Sequence, residues 1–123
     1  MAVYHMYCAQ KDGDVAAFAD PALRRYQAFT KATDLSRQAY RDPVAYKDWK
    51  GFFENRETIT LEQMKAERAV IGRPEECVER LQLLSERFGI TYFSFEVNFG
   101  ALPHDEVIQS VQQFADGVMT RLR

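Results

Sequence analysis

Apolar and polar positions along this chain fall into a sequence of strand, helices, strand, helix, strand and helix. Near the start, Val3 to Cys8 (Val-Tyr-His-Met-Tyr-Cys) has the period of two expected of a strand, with Tyr4, Met6 and Cys8 on one face and Val3, His5 and Tyr7 on the other. Gln10 to Asp14 is a turn, and Asp14 is placed to cap a helical turn carrying Val15, Phe18 and Ala19. Asp20-Pro21 predicts a fresh helix start, with Leu23, Tyr26, Phe29 and Thr33 on one face as far as about Tyr40. Asp42-Pro43 breaks that helix. Tyr46, Trp49, Phe52 and Phe53 then recur with a loosely helical spacing in a long connection, which reads either as an aromatic-rich helix packed on the core or as an insertion over a site.

The second half is more regular. Thr60 and Gln63 form the pattern of a capping box for a helix from Leu61 to Arg68. A short buried strand, Ala69 to Ile71, turns at Gly72, and Pro74 suits the first position of a helix whose apolar face is Val78, Leu81, Leu84 and Phe88. Gly89 ends that helix. From Ile90 to Phe99 the chain alternates again, with Thr91, Phe93, Phe95, Val97 and Phe99 on one face and Ile90, Tyr92, Ser94, Glu96 and Asn98 on the other. Pro103 opens the last helix, where Val107, Val111, Phe114, Val118 and Leu122 make a stripe flanked by Ile108 and Met119. Strands joined by a crossover helix are normally parallel neighbours, so the pattern predicts an α/β architecture in which Ala69 to Ile71 lies beside Ile90 to Phe99.

Composition narrows the function. A chain of 123 residues with 46% hydrophobic and 28% charged residues suits one domain. The net charge of -2 gives no basic field for a phosphate backbone, so nucleic-acid binding is not expected. No apolar run spans a bilayer, and the first strand carries no basic leader, so neither a membrane anchor nor a signal peptide is expected. Cys8 and Cys77 have no paired-ligand spacing and predict a reduced cytoplasmic protein without disulfide or zinc.

Candidate chemistry is sparse. Glu96 is placed to act as a general base or to hydrogen-bond a cofactor, and Asn98 to donate to an oxyanion or a ring carbonyl. Both stand toward the carboxyl end of their strand, where functional groups of parallel barrels gather; the same alternation also describes a strand with one solvated face. His5 reads as a satisfied core histidine and His104 as a surface residue of a first helical turn, too few for a metal site. Gly72 to Glu76 reads as a structural cap and not an anion site, because Glu75 and Glu76 already set carboxylates at the positive end of the helix.

The order Ile71-Gly72-x-Pro74-Glu75-Glu76, an amphipathic helix, Val97-Asn98-Phe99-Gly100-x-Leu102-Pro103 and a last helix ending Phe114-Ala115-Asp116-x-Val118-Met119-x-Arg121 resembles the C-terminal end of luciferase-like, flavin-dependent monooxygenases, in the branch associated with natural-product assembly lines. The likeness covers Arg68 to Arg123 and extends more loosely over Val3 to Arg41. It implies a partial (β/α)8 TIM-barrel fragment of about three strands with covering helices, the whole chain being one domain from the C-terminal portion of such a barrel. It also implies reduced flavin mononucleotide (FMN) and molecular oxygen as co-reactants, with Glu96 and Asn98 near flavin or substrate. Two departures stand out. Arg73 occupies the position where the family usually has Thr or Ser, and a full barrel takes about 250 residues. The expected consequence is a chain inactive alone, which covers its open sheet by homo-oligomerisation or by pairing with the missing N-terminal half of the barrel. The alternative is a non-catalytic, self-associating interaction module derived from that fold.

Overall fold

In the computed structural model, residues 2–38 and 59–122 are described; Tyr40, Asp42, Pro43, Tyr46, Trp49, Phe52 and Phe53, which carried the expectations for the middle of the chain, lie outside them. Strand β1 (Ala2–Cys8) leads through a π-helical turn (Val15–Ala19) into α1 (Asp20–Gln38). Then follow α2 (Leu61–Arg68), β2 (Ala69–Gly72), α3 (Pro74–Phe88), β3 (Phe93–Glu96) and α4 (His104–Gly117), with a last 3-10 turn at Met119–Arg121. The result is α/β, built on a three-stranded parallel sheet.

The sheet order is β2-β1-β3, so β2 and β3 are not the neighbours that the crossover predicted. His5 to Cys8 pair with Ala69 to Gly72 on one side of β1, and Ala2 to His5 pair with Phe93 to Glu96 on the other. The physical reason lies in β1 itself. Both its faces carry bulky side chains, which suits a central strand covered on both sides. Met6 and Cys8 pack with Val70, Cys77, Leu81, Leu84, Phe114 and Val118 beneath α3 and α4. On the opposite face Tyr7 joins Ala19, Ala22, Leu23 and Met64 under α1 and α2. The face assignment of β1 therefore holds, and the core is double.

Several helix starts follow the predicted chemistry. Thr60 Oγ1 accepts from Gln63 N at 3.2 Å while Gln63 Oε1 accepts from Thr60 N at 2.9 Å, a complete capping box. At α3 the Arg73 side chain makes no cap; Glu76 Oε2 accepts from Arg73 N at 2.7 Å, and the guanidinium reaches Asp12 at 3.3 Å. That Glu76 carboxylate lies against Gly72, where an added Cβ would come within 2.6 Å of it, so a side chain at this turn would push the cap away. The expected structural cap at Gly72 to Glu76 is thus made by the chain's own carboxylate.

Other expectations are corrected. Asp14 does not cap the π-turn; its carboxylate accepts from Lys11 N at 2.9 Å instead. Asp20 does open α1 as expected, but not as a cap: its backbone is already helical and its carboxylate pairs with Lys65 at 3.1 Å, joining α1 to α2. Phe29, Phe88, Val111 and Leu122 are exposed instead of buried. A sheet this narrow covers only part of each helix. On α4 the buried line shifts to Val107, Ser110, Phe114 and Val118. Strand β3 is also shorter than Ile90 to Phe99 predicted: Phe93 and Phe95 pack toward α3 and α4, but Phe99 crosses to the α1 side, so the alternation stops at the strand end.

Candidate functional site

A cleft of about 370 Å³ opens where α1 meets the carboxyl end of β3, lined by Arg25, Tyr26, Phe29, Glu96, Asn98, Phe99, Gly100 and Ala101. Its position follows from the topology. Beyond Glu96 the chain turns sharply at Gly100 and Ala101, whose φ values are 56° and 55°, and Leu102 N closes the turn on Phe99 O at 3.2 Å. This turn seats Phe99 in the core and leaves Asn98 exposed at the rim. Gly100 lies against α1: its backbone is so near Ala22 that an added Cβ would sit 1.7 Å from the Ala22 carbonyl oxygen. Arg25 Nε, one turn further along α1, donates to Gly100 O at 2.6 Å and ties the turn to the helix.

Glu96 and Asn98, the two residues singled out from the sequence, are therefore brought into one cleft. Glu96 is partly solvated, with 42% of its side chain accessible, and stands beside His5. His5 Nδ1 lies 3.2 Å from Glu96 Oε2, yet the approach is off the line of a well-formed hydrogen bond. The imidazole is buried, edge-on to Tyr26 with ring centroids 4.4 Å apart and 5.0 Å from the Phe99 ring. Burial holds its pKa below the ordinary value of 6.5; Glu96 pulls upward and Arg68 adds to the lowering. A neutral imidazole thus backs an ionisable carboxylate, which leaves Glu96 free to accept a proton or a hydrogen bond from a ligand in the cleft. His104 is exposed in the first turn of α4.

Compared with protein-family models, with curated proteins and with solved structures, the chain gives no match in any of the three.

The lining shows what the cleft suits. Tyr26, Phe29 and Phe99 offer aromatic surface, while Glu96 and Asn98 offer an acceptor and an amide. Such a lining fits a planar organic group with hydrogen-bonding edges. It does not fit the phosphate of FMN, because Arg25 is the one cation among the lining residues, its Nε is engaged with Gly100, and Glu96 opposes an anion. No helix N-terminus among the lining residues compensates; α3 has its first turn occupied by Glu76. Among the described residues no group of three or more His, Cys, Asp and Glu is arranged to hold a metal ion. No helix there is long and apolar enough to cross a membrane.

Sequence reasoning missed Arg25, Tyr26 and Phe29 as site residues. Tyr26 and Phe29 follow Leu23 at helical spacing and so read as core, and only the position of α1 against β3 turns them toward a cleft. It also missed Tyr7 and Glu106, whose hydroxyl and carboxylate meet at 2.9 Å across almost the full chain length. No local pattern announces such a pair.

Proposed function

We propose that this chain is the C-terminal part of a luciferase-like, flavin-dependent monooxygenase, an oxidoreductase using reduced FMN and molecular oxygen, and that in isolation it binds an organic ring without turnover. The observation that carries the reading is the setting of Glu96. It stands at the carboxyl end of a parallel strand, beside Asn98, backed by a buried neutral histidine and facing an aromatic cleft. Parallel α/β enzymes assemble their chemistry at that end of the strands. In this reading Glu96 orients the ligand or moves a proton, and Asn98 donates to a ring carbonyl. The flavin phosphate is held by strands outside this chain, in keeping with a cleft that lacks an anion cradle.

The partial (β/α)8 barrel is the finer fold that belongs to this proposal. In a closed barrel consecutive strands are neighbours; here β1 has both β2 and β3 beside it, an order that departs from that pattern. Cytoplasmic residence goes with the two free cysteines.

Titration with riboflavin and with FMN tests the proposal. Equal quenching of both flavins, weakened tenfold or more by Glu96→Gln combined with Asn98→Ala, is the expected result. Absence of quenching by either at high micromolar concentration overturns retention of a ring site.

A second reading is favoured by a separate observation. Among the described residues β2 and β3 each pair only with β1, and Val3 and Phe29 are exposed at 63% and 69% on the side of the sheet that α1 covers in part. A non-catalytic module that closes this surface and the β3 edge with a second copy accounts for both. Sedimentation at micromolar concentration discriminates: a dimer supports it, and a sharp monomer overturns it.

A further inference from the structure

A pair of thiols lies beneath α3, outside the candidate cleft. Cys8 closes β1 and Cys77 stands in the first turns of α3, and both are buried in one core cluster. Gly72 shows how near they come. Cys8 is in register with Gly72 across the parallel pair, and Cys77 Sγ lies 3.6 Å from the Gly72 carbonyl oxygen. Cys8 points to the same face of the sheet that α3 covers, so the two side chains converge in that cluster on either side of Gly72. The neighbouring Cys8 thiol, with burial, pushes the Cys77 thiol up, while the neighbouring Cys77 thiol holds Cys8 below the ordinary thiol range.

We infer that Cys8 and Cys77 form a redox-active dithiol, which closes reversibly into an intramolecular disulfide when a peroxide is supplied. The Cys8 thiolate attacks hydrogen peroxide, the O–O bond breaks, and Cys8 becomes a sulfenic acid with release of water after protonation. The Cys77 sulfur then attacks the Cys8 sulfur, the S–O bond breaks and a second water leaves. Two thiols lose two electrons, peroxide gains them, and a thiol reductant reverses the step. Both sulfurs are shielded, so reaction proceeds from locally opened chains and is slower than at an exposed cysteine. The bond ties the central strand to the helix that crosses behind it. The thiols' role in packing alone predicts no such chemistry.

The test treats the intact chain with hydrogen peroxide without denaturant, then unfolds it, alkylates the remaining thiols with iodoacetamide and measures intact mass. The expected product has lost two hydrogens and takes up no alkyl group. It yields a cross-linked Cys8–Cys77 peptide on digestion and returns to the dithiol with dithiothreitol. A rise in melting temperature on oxidation is also expected. In Cys77→Ala the resolving thiol is gone, so Cys8 should accumulate as a sulfenic acid trapped by dimedone. Uptake of two alkyl groups after peroxide, stepwise over-oxidation without the cross-link, or a link only between copies would each overturn the inference. The readout is mass, so it stands or falls separately from flavin binding.

Discussion

His5 and Glu96 stand opposite each other in register on β1 and β3, with Nδ1 and Oε2 3.2 Å apart, so the carboxylate bears on the protonation of the histidine. Burial wins over the carboxylate in setting the histidine, because its pKa is held below 6.5. The folded chain thus takes up this proton at lower pH than the unfolded chain. The stability contributed by neutral His5 is complete above pH 6.5 and falls as pH drops from there through the folded-state pKa. Urea melts between neutral and mildly acidic pH should show this slope, and His5→Asn should flatten it. Glu96→Gln removes the upward pull, so the imidazole midpoint followed by NMR should move lower still. A midpoint at or above 6.5 in the folded protein would contradict the balance described.

The turn after β3 gives opposite outcomes at adjacent positions. Gly100→Ala drives a methyl group into the Ala22 backbone at a left-handed residue and should cost about 3 kcal/mol or more. Ala101→Gly keeps the same turn and relieves a residue held at φ 55°, with an expected gain of roughly 0.5–1 kcal/mol. Thermal unfolding of both variants checks the pair. Ligand binding should fail only in the first.

Ser110→Ala should destabilise the chain by about 1–3 kcal/mol, more than an ordinary surface change. Ser110 Oγ accepts from Cys8 N at 2.8 Å, on the side of β1 where β3 has already ended. Without the hydroxyl, that buried N–H has no partner. Denaturant unfolding measures the loss, and Ser110→Thr, which keeps the acceptor, should recover part of it.

Tyr7 donates to Glu106 Oε2 at 2.9 Å, and burial followed by that hydrogen bond raises its pKa well above the usual phenol. In an alkaline absorbance titration one tyrosine should ionise only with unfolding. Tyr7→Phe should remove that late step and lower stability by about 1–2 kcal/mol.

Local chemistry made much of this fold legible. Thr60 with Gln63, Pro74, Gly89 and Pro103 each mark a helix boundary, because caps and breakers act within a few residues of themselves. The faces of β1 were equally readable, since a period of two needs no partner to define it. Strand adjacency was not. Whether β2 lies beside β3 depends on which strand takes the centre, and that is settled by coverage on both faces of β1. Phe29, Phe88 and Val111 misled for a related reason: helical spacing marks an apolar stripe, but the width of the sheet decides how much of it is buried. At the site, Glu96 and Asn98 stood out as polar residues late in an apolar strand. Arg25 and Tyr26 did not, because their part depends on α1 reaching the turn at Gly100.

The central place of β1 has a consequence for the order of folding. Strands β2 and β3 are joined through α3 and lie close in the chain, yet they share no ladder; one strand's width separates each from the middle, about 10 Å in all. Helix α3 is able to form early from local contacts alone. The sheet has to wait for the amino-terminal strand to arrive from more than sixty residues away, so its closure carries a large loop entropy and sets the pace. A nascent chain that has made β2 and α3 before docking β1 holds a vacant slot between its strand positions. A segment supplied in trans with the sequence of β1 is the natural competitor for it.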